Sequence, residues 1–308
     1  MKGGNAVGSS QKIKIGAVIN EASGILPPDQ ARERLEEIRR YLEKWVSPDC
    51  LAFVSGAQVR SEVERLISLN INVLVMGGGD GTISTAARLL CDSQIALAVV
   101  GLGTQNNFAR DLGVSMKPVE AIGLLNKMNV QCIDLGEVNG HLFINNATIG
   151  LYPQIVEERE RRTKKRGWRK WRAQIAAALI VLWRVPSQKL KVTGLGDQNN
   201  DPTPFLFVGN NEYQGGFASD SKRPALSGGC LWLCKACATG RWGLLRMAWH
   251  LRMRGIGGIQ DIETLLVKEA TVHSRRRKLT VAVDGENRKL HTPLRFRSRP
   301  KSLRVVVP

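Results

Sequence analysis

The first 130 residues alternate apolar runs with amphipathic stretches, and that alternation restricts the fold more than any other feature. IKIGAVIN (13–20), LAFVSG (51–56), NVLVMGGG (72–79) and IALAVVGLG (95–103) are apolar almost without interruption. Strands of that kind are covered on both faces. Between the first two, DQARERLEEIRRYLEKW places Ala31, Leu35, Ile38, Leu42 and Trp45 on one helical face. VERLISLNI and TAARLLC supply two further helices. The alternation predicts a parallel sheet with helices on both sides. In such sheets ligands bind outside the carboxyl ends of the strands. Asn20, Ser55, Gly77–Thr82 and Gly101–Asn106 each follow a strand, so a site is expected among them.

After Ile133 the grammar changes. IDLGEVNGHLFINNATIG (133–150) predicts two strands around an Asn139–Gly140 turn. KLKVTGLG, PFLFVGNN, CLWLCKA, TVHSRRRKLTVAVDGE and SLRVVVP continue as separate strands, interrupted by helical patterns at Gln154–Trp183 and Trp242–Arg254. The expected architecture is an α/β N-terminal domain with a parallel sheet (12–132) and a mostly antiparallel β C-terminal domain (133–301). The last strand, 302–308, is expected to return to the first domain. Six cysteines in 308 residues do not make a disulfide framework. Cys230, Cys234 and Cys237 lack a fourth ligand at finger spacing, and predict a buried strand rather than a zinc site.

Charge enters where partners are considered. Forty-five basic residues against 27 acidic give +18, which favours an acidic partner: nucleic acid, an anionic membrane or a polyphosphate. Aromatic residues make up only 6%, which argues against a base-stacking platform, and no nucleic-acid partner is expected. Eight of the twelve residues from Arg161 to Arg172 are basic, and Trp168, Trp171, Ile175, Leu179 and Leu182 share one helical face. That helix either lies on an anionic bilayer or packs against the β domain. Its apolar run is far short of the ~20 residues of a membrane span. MKGGNAVGSSQKIK lacks an apolar signal core, and Lys2 stands where myristoylation needs Gly, so a cytoplasmic, peripherally membrane-associated protein is expected.

GGGDGT (Gly77–Thr82) poses the chemical question. Bare glycine backbone at a strand end suits phosphate oxygens, helped by the helix N-terminus that follows. A carboxylate there repels phosphate unless a divalent cation lies between them, so Asp80 points to a Mg²⁺ nucleotide; a simple tight turn is the other reading. The segment is neither a Walker A loop nor a G-x-G-x-x-G fingerprint. GLGTQNNFARDLG (101–113) repeats the pattern after the fourth strand. VAVDGE (281–286) sets a carboxylate pair around a glycine at a strand end.

Taken in order, INEASG, Gly-Gly-Asp-Gly-Thr, Gly-Thr-x-Asn-x-Phe-Ala-Arg, IDLG, FINNATIG, VGNN, RPALSGG and Asp-Gly-Glu resemble the diacylglycerol kinase catalytic-domain family, over about residues 12–308. That family includes bacterial lipid kinases and the sphingosine and ceramide kinases. The resemblance implies an ATP- and Mg²⁺-dependent transferase that phosphorylates a lipid hydroxyl at an anionic membrane surface, in phospholipid biosynthesis. It implies Glu286 as general base and Asp80 as the residue that binds the catalytic Mg²⁺ or assists the base. It also implies ATP contacts from Asn20, Ser55, Gly77, Gly78, Gly79, Gly81, Thr82, Gly103, Thr104 and Asn106. Family members often carry Asp where Asn107 stands and Asn-Glu where Ser84–Thr85 stand. Where they have the Asp that helps hold a structural Mg²⁺, this chain has Ser227–Gly228–Gly229, which puts that ion in doubt. Two other classes stay open: an NAD kinase, for which Asn211–Glu212 is the candidate partner motif, and a non-catalytic membrane-binding relic.

Overall fold

The computed structural model describes residues 13–24, 26–150, 188–193, 202–203, 205–214, 223–236 and 262–308. The helical patterns at 154–183 and 242–254, with the basic run 161–172, Trp168, Trp171 and Cys237, lie outside the described residues.

Four apolar runs become β1 (Ile15–Asn20), β2 (Leu51–Val54), β3 (Val73–Gly78) and β4 (Ala96–Gly101), parallel in the order β2–β1–β3–β4. Around them lie α1 (Pro28–Leu42), α2 (Val59–Ser68), α3 (Asp80–Leu89), α4 (Asn107–Asp111) and α5 (Pro118–Gly123). Every residue of β1, β3 and β4 is buried, the double coverage that continuous apolar runs predict. Ile38 and Leu42 of α1, Val63 and Leu66 of α2, and Ile83 and Ala87 of α3 join Ile19, Leu74 and Met76 in one core. Trp45 departs from its expected place on that face. α1 ends at Leu42, the amide of Trp45 donates to Leu42 O in a tight turn, and the indole is 36% exposed. From β1 the chain crosses to β2 on one side and returns to β3 on the other. The crevice between the ends of β1 and β3 is therefore the topological switch point, where α/β sheets place ligands.

The remaining strands are β5 (Val130–Val138), β6 (His141–Phe143), β7 (Asn146–Gly150), β8 (Gln188–Val192), β9 (Pro202–Thr203), β10 (Phe205–Asn210), β11 (Leu231–Ala236), β12 (Ile262–Val267), β13 (Glu269–Ser274), β14 (Lys278–Val283), β15 (Glu286–His291) and β16 (Leu294–Val306). Late in its course β16 pairs with β4 in parallel, Arg304 opposite Ala96, so the end of the chain extends the first sheet. Earlier it pairs with β13, and along its length with β5. The second sheet, β12–β11–β10–β7–β14–β15, is antiparallel throughout. Phe143, Ile149, Leu206, Leu233, Val272, Val281 and Phe296 fill the space between the sheets. Cys234 is buried beside Phe207 and Trp232, as a small apolar residue.

Two sequence readings need correction. Residues 133–150 form three strands, not two: after β6 the chain leaves the first sheet and enters the second as β7. TVHSRRRKLTVAVDGE is two strands in different sheets, β13 and β14, because Arg275, Arg276 and Arg277 cannot be buried between sheets and form an exposed turn.

Candidate active site

The glycine loops meet at the carboxyl ends of β1, β3 and β4. Asn20, the last residue of β1, donates from Nδ2 to Thr82 Oγ1 at 2.9 Å, tying that strand to the first turn of α3. β3 runs directly into α3 through Gly79, and among the described residues no side chain caps the helix, which leaves its first amides for another acceptor. A Cβ on Gly103 would lie 2.6 Å from the Cα of Gly79; the two loops touch through bare backbone, and any larger residue would part them. Asn106 sits in the left-handed region (φ 52°) and closes the second loop on itself, accepting from Gly103 N at 2.8 Å and donating to Gly103 O at 3.0 Å. Asp80 Oδ1 accepts from Phe108 N at 3.2 Å, which pins α4 to the start of α3. Gly77 and Gly78 are buried in β3, whereas Gly81 and Thr104 are exposed. Ser55 donates to Gln58 Oε1 at 2.9 Å, and no hydrogen bond among the described residues joins it to the other loops.

Glu286 approaches from the second sheet. It stands at a strand end, as the first residue of β15, after a two-residue turn in which Asp284 (φ 48°) and Gly285 (φ 85°) are both left-handed. Turns of this type match the twist of a hairpin and favour Asp-Gly. The Glu286 carboxylate accepts from Arg88 Nη1 at 3.3 Å and Arg288 Nη2 at 3.0 Å. Arg88 lies two turns beyond Asp80 on α3, about 12 Å along the axis, and its Nε is held by Leu142 O at 2.9 Å. A cavity of about 450 Å³ opens here between the two parts, lined by Gly56, Arg60, Thr85, Arg88, His141, Glu286 and Arg288 among others. Burial, then the positive charges of Arg288 and Arg88, hold the His141 imidazole below its ordinary pKa.

Several residues here were given no role by the sequence. Arg88 could have been found, since positions 80, 84 and 88 share one helical face. Arg223 opens the RPALSGG motif, which gave no role for it: its side chain is fully buried and pairs with Asp111, 112 residues away, at 2.8 Å. The same guanidinium donates to Ile144 O, Asn210 O and Asn145 Oδ1. Asp134 is also fully buried, and its carboxylate accepts from Gly229 N (2.6 Å), Lys301 N (2.8 Å) and Asn211 Nδ2 (3.2 Å). Among the described residues its carboxylate meets only donors, and Ser227–Gly228–Gly229 add no carboxylate, a set that does not fit a structural cation. Asp80 does fit a nucleotide-borne Mg²⁺. Its Oδ2 has no hydrogen-bond partner among the described residues, and Mg²⁺ commonly takes one or two carboxylates together with substrate phosphates.

Residues 14–138 match the diacylglycerol kinase catalytic domain. A "Probable lipid kinase YegS-like" protein of Pseudomonas aeruginosa is 40% identical over 108 residues, covering 34% of this chain and 35% of the relative. One of the same name from Alcanivorax borkumensis is 32% identical over 113 residues, covering 36% and 37%. The alignments thus span little more than a third of the length of these curated relatives. A solved diacylglycerol kinase structure from Bacillus anthracis str. Sterne covers 96% of this chain and 97% of its own, with TM-score 0.67 and 20% identity. A second chain from that organism reaches TM-score 0.71 at 22% identity. Those two likenesses show a shared fold across both sheets.

Proposed function

We propose that the chain is a Mg²⁺-dependent lipid kinase that transfers the γ-phosphoryl group of ATP to a lipid hydroxyl. In this reading residues 12–132 bind the nucleotide and 133–301 the lipid. One observation carries it: α3 begins at Asp80 between two touching glycine loops and, two turns on, holds through Arg88 the carboxylate of Glu286. The phosphate cradle and the candidate base are thus tied to the two ends of one helix, with the base lining the cavity at the Arg88 end.

The uncapped amides of Gly79–Thr82, with Gly77, Gly78, Gly103, Thr104 and Asn106, receive the phosphates, and Asn20 and Ser55 border the nucleotide. Glu286 takes the proton as the lipid oxygen bonds to phosphorus and ADP departs. Such a transfer needs positioning and charge neutralisation more than covalent help. Mg²⁺, held from the protein side by Asp80, supplies neutralisation of the phosphate charge when bound. Asp80→Asn is expected to raise the Mg²⁺ concentration at half-maximal rate, because an amide is a poorer ligand for a hard cation. An unchanged Mg²⁺ titration would remove Asp80 from that role.

The basic turn Arg275–Lys278 is exposed, and none of its four side chains has an ion-pair partner among the described residues. It stands at the far end of β14 from Glu286, roughly 20 Å along the strand, so it attracts an anionic surface without touching the cleft. Among the described residues no helix is long and apolar enough to cross a membrane.

The test incubates the full chain with γ-labelled ATP, Mg²⁺, NAD and total lipid extract in anionic vesicles. Label in a lipid, falling as salt rises, is expected. Label in NADP instead would place the chain among NAD kinases, although Asn211 of the required pair is engaged with Asp134. Vesicle binding without any transfer would support the relic.

A further inference from the structure

The Asp284 carboxylate has no place in the chemistry above, yet it collects more donors than any other group at the cleft. Its side chain is 2% exposed. Oδ1 accepts from Asn145 N at 2.9 Å and Asn146 N at 3.3 Å. Oδ2 accepts from Ile144 N at 3.0 Å, Ser84 Oγ at 2.5 Å and Arg88 Nη2 at 3.4 Å. Three successive backbone amides from the β6–β7 connection and two side chains of α3 thus converge on one turn residue. Arg223 holds the other side of that connection through Ile144 O and Asn145 Oδ1. Glu286 lies two residues further on, half exposed, with two arginine contacts among the described residues.

We propose that Asp284, bound by Ser84 and the amides of 144–146, is the positioning residue that sets the distance between Glu286 and the Asp80 end of α3. The inference rests on the kinase reading for its activity arm only. α3 acts as a ruler: Asp80 at its start, Ser84 one turn on, Arg88 two turns on. Ser84 and Arg88 anchor the hairpin turn to that ruler, and a base must stand within hydrogen-bond reach of the proton it removes.

Asp284→Asn keeps the shape but turns one acceptor oxygen into a donor facing donors. It is expected to lower kcat about 10- to 100-fold, the scale of an ångström-sized misplacement, with ATP affinity unchanged. Ser84→Ala is expected to lower kcat less, and Ser84→Thr, which retains the hydroxyl, to restore it. The decisive comparison repeats Asp284→Asn in a Glu286→Gln background. If Asp284 acts through Glu286, its effect shrinks there; an undiminished fold-loss overturns the proposal. If Asp284→Asn fails to fold, the same cycle with Ser84→Ala decides. Amide hydrogen exchange gives an arm independent of activity. Exchange at 144–146 and 285–288 should rise in the Asp284 variant while the paired, buried strand 74–78 stays protected, and uniform exchange across the chain would overturn the anchor. Wild-type chain that labels no lipid would instead defeat the kinase reading, leaving the exchange result to stand or fall alone.

Discussion

Glu286→Gln lowers kcat by about 10²- to 10⁴-fold, the usual loss on removing a general base, while ATP affinity stays close to that of the unaltered chain. The amide has nearly the same shape, so the hairpin turn and its Asp284 anchor persist. What disappears is the capacity to accept a proton from the lipid hydroxyl. Loss of the charge also removes two ion pairs, but Glu286 is 48% exposed and its partners 19% and 37%, so solvent screens them. Such pairs contribute ~0–1 kcal/mol, too little to unfold the chain. Single-turnover kinetics with labelled ATP, beside a nucleotide titration by calorimetry, separate the two quantities. A variant that kept most of its kcat would show that Glu286 is not the base.

Arg223→Met is expected to destabilise the fold by ~3–5 kcal/mol, the range for breaking one half of a buried ion pair. The guanidinium is fully buried and Asp111 is 6% exposed, so water cannot replace the lost partner. Two backbone carbonyls and Asn145 Oδ1 lose donors at the same time. Thermal unfolding should move down by on the order of 10 °C. The double variant Asp111→Leu with Arg223→Met should recover much of that loss, since an apolar pair leaves no uncompensated charge. If the single variant melted within about 2 °C of the unaltered chain, the pair would not be a main tie between α4 and the second sheet.

The first sheet was legible in the sequence because its information is local. A run such as VLVMGG is apolar on every residue, which states without reference to any partner that both its faces are covered. The glycine loops were legible for the same reason: Gly77–Thr82 lies at a junction of strand and helix that the adjoining residues define. Trp45 shows the limit, since periodicity continues on paper where the helix has already ended.

Tertiary structure alone decided which sheet each later strand joined. Alternation gives a strand two faces, but not the neighbour against which either is buried, and so β13 and β14 read as one. The same holds for the cleft. Ser84 meets Asp284 across 200 residues and Arg88 meets Glu286 across 198. No period of 2 or 3.6 residues spans such separations; the contacts exist because two packed sheets hold the β14–β15 turn against α3.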